Sequence, residues 1–441
     1  MKENKKLKQL KMFVRRTIIS IILSIISIFS NPITAQKNTV NTKSNWYDLK
    51  MMSDPILDQT LLFYLSMTYS QQSDVGECLE TASRIVSNDP SAWTKEWVKT
   101  ASRLDSLARK EEQEKNYISS GNLYLRSANY YSAALHRHND PSDPKVKVYA
   151  LAASTSFKKA LKLLNLHAEA VKIPYENTYI PGYFFKTSKS KKPAPVLIVH
   201  QGRDGWAMHC KYIADAAINR GYDCLLIDGP GQGEMLRLQN KGFRYDWEKV
   251  ITPVVDYLLA LKDVDKSRIG LIGLSMGGLL APRAAAFEHR LKICVANPGV
   301  INWGEMVTDF FNNFDPNLKS LWKEKPEAFN QKIAEMSAKI PLVDWGIKDM
   351  MWKHGVTKPS ELMAQMLLYS NKEIISKITC KMLIMDGTDD DYSQGKELFN
   401  ALNCPKDYML FTADDTALQH CQVGAQAYSS SRLFDWIDKN L

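Results

Sequence analysis

From about Trp46 to Leu166 apolar residues recur three or four positions apart within runs rich in Ala, Leu, Lys and Glu, which predicts a set of amphipathic helices. The runs break at Asn88-Asp89-Pro90 and at Asn139-Asp140-Pro141-Ser142-Asp143-Pro144, where Asn, Asp and Pro favour turns. In Tyr124–Leu135 small and aromatic residues alternate at helical spacing, suited to close approach between helices. The period is too irregular for a solenoid.

After Val171 the pattern changes. Pro195–His200, Cys224–Ile227, Ile269–Ile272, Ile293–Ala296 and Met382–Met385 are short and apolar at consecutive positions, with helical stretches such as Cys210–Asn219 and Trp247–Lys262 between them. A strand apolar on both faces must be covered on both faces, so the alternation predicts a mostly parallel sheet between helical layers. More than sixty residues, from Trp303 to Tyr369, interrupt that alternation, and they are rich in Trp, Phe and Met. Inserted at the carboxyl ends of parallel strands, where such folds bind ligands, this stretch reads as a helical lid over an apolar pocket.

Composition adds limits. With 45% hydrophobic and 24% charged residues, the 441-residue chain is globular rather than disordered. Its formal charge of +9 is uneven: residues 1–35 hold seven Lys/Arg and one Glu, leaving only +3 for the remainder. No basic stripe follows, which argues against a nucleic-acid partner. The same 35 residues place a 13-residue apolar run, Thr17–Phe29, after a basic start and before Asn-Pro-Ile-Thr-Ala35. That is the layout of a signal peptide cleaved after Ala35, with export to the periplasm or medium and no stable membrane insertion afterwards; an uncleaved membrane anchor is the alternative. Seven cysteines show no framework spacing and no C-x-x-C pair, and Cys224, Cys294 and Cys380 lie in strand-like segments as core thiols.

The chemistry begins at Gly273-Leu-Ser-Met-Gly277, a G-x-S-x-G motif directly after the predicted strand Ile269–Ile272 and before a helical run. In that context the motif is an elbow that holds the Ser275 hydroxyl above the sheet edge, with glycines on both sides because the turn leaves no room for side chains. The Met276 amide faces the same space and is a candidate oxyanion donor. A serine needs a base, and the base needs an orienting acid. Along such a chain the order is serine, acid, histidine. The strand Met382–Met385 runs into Asp386-Gly-Thr-Asp-Asp-Asp391, and His420 precedes the last predicted helix, Ala425–Asp438. Gly-x-x-Asp spacing selects Asp390, with Asp389 and Asp391 as adjacent alternatives. The second oxyanion donor is expected in His200-Gln-Gly-Arg-Asp-Gly205, at the Arg203 amide, with Gln201 in reserve and His200 supporting the loop. Asp228-Gly-Pro-Gly-Gln-Gly-Glu234 lacks the residues of a phosphate loop and reads as a tight turn near the site.

Together with Ala281-Pro-Arg-Ala-Ala-Ala286 and His420-Cys-Gln422, these motifs resemble α/β-hydrolases that carry an N-terminal helical domain. That group includes dihydroxypseudooxynicotine hydrolase, fungal pigment polyketide-shortening hydrolases and proteins labelled dipeptidyl aminopeptidase or acylaminoacyl peptidase-like. The resemblance extends from about Trp46 to the C-terminus. With the patterns above, the chain divides into three regions: a leader over 1–35, a helical domain over 36–170, and an α/β-hydrolase domain over 171–441 with a lid insertion at about 303–369. The resemblance also implies cofactor-free hydrolysis of an ester, an amide or a carbon–carbon bond beside a ketone. Some relatives use a glutamate after the strand that follows the elbow helix, and Glu305 is the nearest match. Ala417-Leu-Gln-His420 replaces the usual Ala-Gly-Glu-His, and no proline follows the acid at the customary distance.

The resulting expectation is a serine hydrolase acting on a small or hydrophobic carbonyl substrate, with neither metal nor cofactor. A peptidase fits less well beneath a long apolar lid. An idle hydrolase fold serving as an exported binding module is opposed by the intact Ser275 and His420. The helical region is also a candidate homodimer surface.

Overall fold

The computed structural model of the protein describes residues 46, 49–85, 91–189, 193–315 and 317–441. The expected leader over 1–35 and the break at Asn88–Pro90 lie outside these residues. Among the described residues no helix is long and apolar enough to cross a membrane.

Among the described residues five α-helices come first: α1 (Pro55–Ser66), α2 (Val75–Ser83), α3 (Ala92–Gln113), α4 (Tyr117–His136) and α5 (Lys145–Leu163). Asp54 and Asp74 start the first two by accepting backbone N–H bonds from the opening turn. The small residues of α4 let it approach its neighbours closely. Ser120 and Ser127 hydroxyls donate to the carbonyls of Ala108 and Ala101 on α3, at 2.8 and 2.9 Å. The Asn139–Pro144 segment separates α4 from α5, as its turn residues predict.

Eight strands follow: β1 (Ala168–Tyr175), β2 (Thr178–Phe185), β3 (Ala194–His200), β4 (Asp223–Ile227), β5 (Val264–Leu274), β6 (Ile293–Asn297), β7 (Lys381–Gly387) and β8 (Lys406–Phe411). Their order across the sheet is β1-β2-β4-β3-β5-β6-β7-β8, antiparallel where β2 meets β1 and β4, parallel elsewhere. Between and after them run α6 (Lys211–Asn219), α7 (Gly233–Gln239), α8 (Glu248–Ala260) and α9 (Gly277–Ala285). Five helices fill the long interval between β6 and β7: α10 (Trp303–Phe314), α11 (Leu318–Glu324), α12 (Pro326–Lys339), α13 (Pro341–His354) and α14 (Pro359–Met366). The chain closes with α15 (Gly395–Ala401) and α16 (Gln426–Asn440). This is the expected mostly parallel sheet between helices, extended by an antiparallel edge.

All of β3 is buried, and its side chains alternate between two cores. Leu197 and Val199 join Phe157, Ile213, Ala214 and Phe434 on the face where α5 and α6 meet the sheet, and the same core runs on to Tyr64, Trp93 and Trp97. Val196 and Ile198 join Val250, Leu280, Phe329 and Met363 on the face covered by α8, α9 and the insertion. Each such aliphatic side chain contributes about 1.5–3 kcal/mol by leaving water. The apolar continuity of the central strands is therefore the imprint of two helical layers.

Candidate active site

The β5 strand ends at Leu274 and α9 begins at Gly277, so Ser275 sits at a two-residue elbow with φ +59°, in the left-handed region. Its N–H donates to the Asn297 carbonyl at 2.6 Å. Steric demand on the glycines is uneven. A β-carbon at 273 would stand 2.0 Å from the Gly277 carbonyl oxygen, and one at 278 would stand 1.8 Å from that of Pro298. At 277 the closest approach would be 3.2 Å, so the motif glycine after the serine is less constrained than its neighbour outside the motif.

Ser275 Oγ lies 2.9 Å from His420 Nε2, and His420 Nδ1 lies 2.9 Å from each carboxylate oxygen of Asp390. A proton on Nδ1 facing the carboxylate leaves Nε2 to accept from the serine hydroxyl. The Asp390 side chain is wholly buried, while that of His420 is 30% exposed. Burial alone would lower the imidazole pKa, but the Asp390 carboxylate raises it well above its usual value. Among the three adjacent aspartates the turn decides: Asp390 N–H closes onto Gly387 at 3.2 Å and turns its carboxylate to the histidine, while Asp389 accepts from Gln419 Nε2 at 3.2 Å.

Across from the serine, a β-carbon at Gly202 would lie 2.5 Å from Met276 N and 2.7 Å from Ser275 Cβ. The loop bearing Arg203 is thus pressed against the elbow. The turn over Asp228–Glu234 braces it. Buried Gln232 donates through Nε2 to the carbonyls of Gln201 and Gly202, and its Oε1 accepts from Gly229 N–H at 2.9 Å. Asp228 accepts from the amides of Ala207 and Glu234 at 2.6 and 3.0 Å, and burial pushes its pKa up to about 7. His200 is buried below this loop, its Nδ1 3.0 Å from the Gln201 carbonyl.

Glu305 is not brought to this cluster. It occupies the first turn of α10, where its N–H donates to the Asn302 cap at 3.1 Å and its half-exposed carboxylate pairs with Lys372 at 2.8 Å. A position chosen by distance along the chain from β6 has here been used to start a helix.

The sequence pattern assigned no site role to several neighbours. Tyr392 packs edge-on against His420, ring centres 5.1 Å apart, and Trp303 from the insertion stacks on Tyr392 at 6.2 Å. Cys421, in the left-handed region at φ 52°, places Sγ 3.2 Å from both Ser275 N and the Asn297 carbonyl. Arg203 pairs with Asp349 of α13, which also holds Lys353 at 2.9 Å. Tyr392 lies two residues beyond Asp390 and Cys421 directly follows His420, so proximity to the motifs was the available signal. No local signal links α13 to the loop. Among the described residues no group of His, Cys, Asp or Glu is arranged to hold a metal ion.

Comparison with known proteins gives the chain a family. The family model described as esterase FrsA-like matches residues 3–321. The chain belongs to the FrsA-like esterase family. Curated relatives of this FrsA-like chain are hydrolases. It is 28% identical over 397 residues to the hydrolyase poxO of Penicillium oxalicum, covering 84% of this chain and 93% of that protein. It is 27% identical over 408 residues to the 20-hydroxy-prefusarin hydrolase FUS2 of Gibberella moniliformis, covering 88% and 97%. The fold matches the crystal structure of 2,6-dihydroxy-pseudo-oxynicotine hydrolase with a TM-score of 0.67 at 20% identity, over 85% of this chain and 95% of that one. The FrsA-like chain is thus a hydrolase with the α/β-hydrolase fold and a helical N-terminal region.

Proposed function

We propose that the protein is a serine hydrolase in which Ser275 is the nucleophile, His420 the general base, Asp390 the orienting acid, and the amides of Met276 and Arg203 the oxyanion donors. The hydrogen-bonded chain from Ser275 Oγ through His420 to Asp390, at 2.9 Å per step, carries this reading. Ser275 Oγ adds to the substrate carbonyl as its proton passes to His420 Nε2. The resulting oxyanion accepts from the two amides. Collapse expels the leaving group, which takes the proton from His420, and an acyl-serine remains. Water activated by the same imidazole then adds to the acyl group and releases Ser275. An alkoxide, an amine or a ketone-stabilised carbanion can leave by this route, so esters, amides and carbon–carbon bonds beside a ketone share the machinery.

The substrate is small or hydrophobic in this reading, with the helices from Trp303 to Met366 acting as its lid. The apolar faces of Trp303 and Tyr392 beside His420 support it. A fluorophosphonate probe should label the full chain at one site, and Ser275→Ala should abolish labelling and hydrolysis together. Undiminished labelling of the Ser275→Ala protein would overturn the assignment.

A further inference from the structure

His420 lies on the connection between β8 and α16, which runs through turns and one short helical turn, His420–Gln422. Such a connection lacks the ladder that fixes residues within a sheet, and this one is also strained. Cys421 and Gln422 both stand in the left-handed region, at φ 52° and 53°, although neither is a glycine. Non-glycine residues there cost free energy and persist only where surrounding contacts hold them.

Those contacts converge on one residue. Asn297 ends β6 opposite Leu274 of β5, beside the elbow. Its carbonyl accepts from Ser275 N–H at 2.6 Å and from the Cys421 thiol at 3.2 Å. Its side chain forms a reciprocal amide pair with Gln422: Asn297 Nδ2 donates to Gln422 Oε1 at 2.8 Å, and Gln422 Nε2 donates to Asn297 Oδ1 at 3.2 Å. Asn297 is 3% exposed and Gln422 is wholly buried, so loss of one partner leaves the other amide buried and unpaired. Asn297 therefore grips the nucleophile through its backbone and the loop of the base through its side chain, across 125 positions of chain. The chemical steps derived above use neither amide.

We propose that Asn297 and Gln422 are positioning residues that set the approach of His420 Nε2 to Ser275 Oγ. The proposal rests on the hydrolase reading and adds two residues to its machinery that touch the triad and not the substrate. A purely structural pair would lower stability alone. A positioning pair also lowers the rate of the chemical step, because a base displaced by about 1 Å can cost roughly a hundredfold.

The test uses Gln422→Met and Asn297→Leu, which keep side-chain bulk and remove the pair. With 4-nitrophenyl butyrate, each should lower kcat by roughly ten- to hundredfold and leave KM within about twofold, since both acylation and deacylation use the imidazole. The double variant should lose no more than the worse single, as members of one unit do. Proton NMR supplies a readout free of turnover. The His420 Nδ1 proton, held 2.9 Å from Asp390, should give a downfield resonance in the wild type that broadens or vanishes in Gln422→Met. Unchanged kcat in a folded Gln422→Met protein, or a loss carried by KM, overturns the proposal and leaves the hydrolase reading intact. Losses that multiply in the double variant also overturn it. Should Asn297→Leu fail to fold, kcat and the resonance of Gln422→Met decide. If the wild type neither cleaves the ester nor takes the fluorophosphonate, the hydrolase reading fails by itself. The resonance then decides the positioning, supporting it if lost in Gln422→Met and overturning it if retained.

Discussion

Asp390→Asn perturbs one charge with little change in volume. Both carboxylate oxygens stand 2.9 Å from His420 Nδ1 in a wholly buried position. At that separation and an effective dielectric near 20, attraction to an imidazolium is about 6 kcal/mol, an upper figure because the histidine is 30% exposed. The imidazolium forms during the chemical step, so most of that attraction belongs to the transition state. Each 1.36 kcal/mol is a factor of ten in rate, so a loss of about 4–5.5 kcal/mol lowers kcat by roughly 10³- to 10⁴-fold. Asparagine also presents an N–H where Nδ1 carries its own, which favours the wrong tautomer. The pH profile gives an independent sign. Since Asp390 holds the imidazole well above 6.5 and only the neutral form accepts the serine proton, wild-type kcat/KM should rise with pH through a midpoint above 6.5. Without the carboxylate, burial dominates and the midpoint should move down. Steady-state ester kinetics from pH 5 to 9 for Asp390→Asn and Asp389→Asn would decide. A larger loss in Asp389→Asn, whose side chain faces Gln419, or an unmoved midpoint in Asp390→Asn, would refute the reasoning.

The elbow glycines should rank by their contacts. Gly278→Ala, with its β-carbon 1.8 Å from the Pro298 oxygen, is expected to cost about 1–3 kcal/mol or more, and Gly277→Ala, at 3.2 Å, less; thermal unfolding showing the reverse order would contradict the packing. Lys353→Met leaves the wholly buried Asp349 with Arg203 as its ion-pair partner among the described residues, and removing one member of a buried pair costs about 3–5 kcal/mol. It should speed limited proteolysis within 303–369 before the rest of the chain, and uniform cleavage rates would refute that link.

Central elements were legible because their burial is two-sided. The apolar runs over β3 to β7 each lie within an observed strand, and the aromatic-rich interval from Trp303 to Tyr369 holds the five inserted helices. Edge elements left fainter traces. In β1 exposed and buried positions alternate irregularly, and β8 is partly exposed along most of its length, so neither makes an apolar run. Of the antiparallel edge only β1 shares that trait: β2 is buried from Ile180 to Phe185, but Pro181 and Gly182 interrupt its apolar run. At the site, a glycine-flanked serine after a strand, an aspartate after a late strand and a lone late histidine were all readable in order. The accessory glutamate was not, because Glu305 and its surroundings depend on how α10 is capped.

By itself the sequence determined what adjacent residues control: the periods that separate helices from strands, the tight elbow at Ser275, and the chain order of the groups around it. Only the tertiary structure decided which of three aspartates faces His420, that Gly278 is held harder than Gly277, and that α13 brings Asp349 and Lys353 to Arg203. The reason is reach. Periodicity and turn stereochemistry act over a few residues, whereas Ser275 and His420 meet across 145 positions and Arg203 and Asp349 across 146. Such meetings depend on strand register and on the path of the insertion, and neither is written in any one segment.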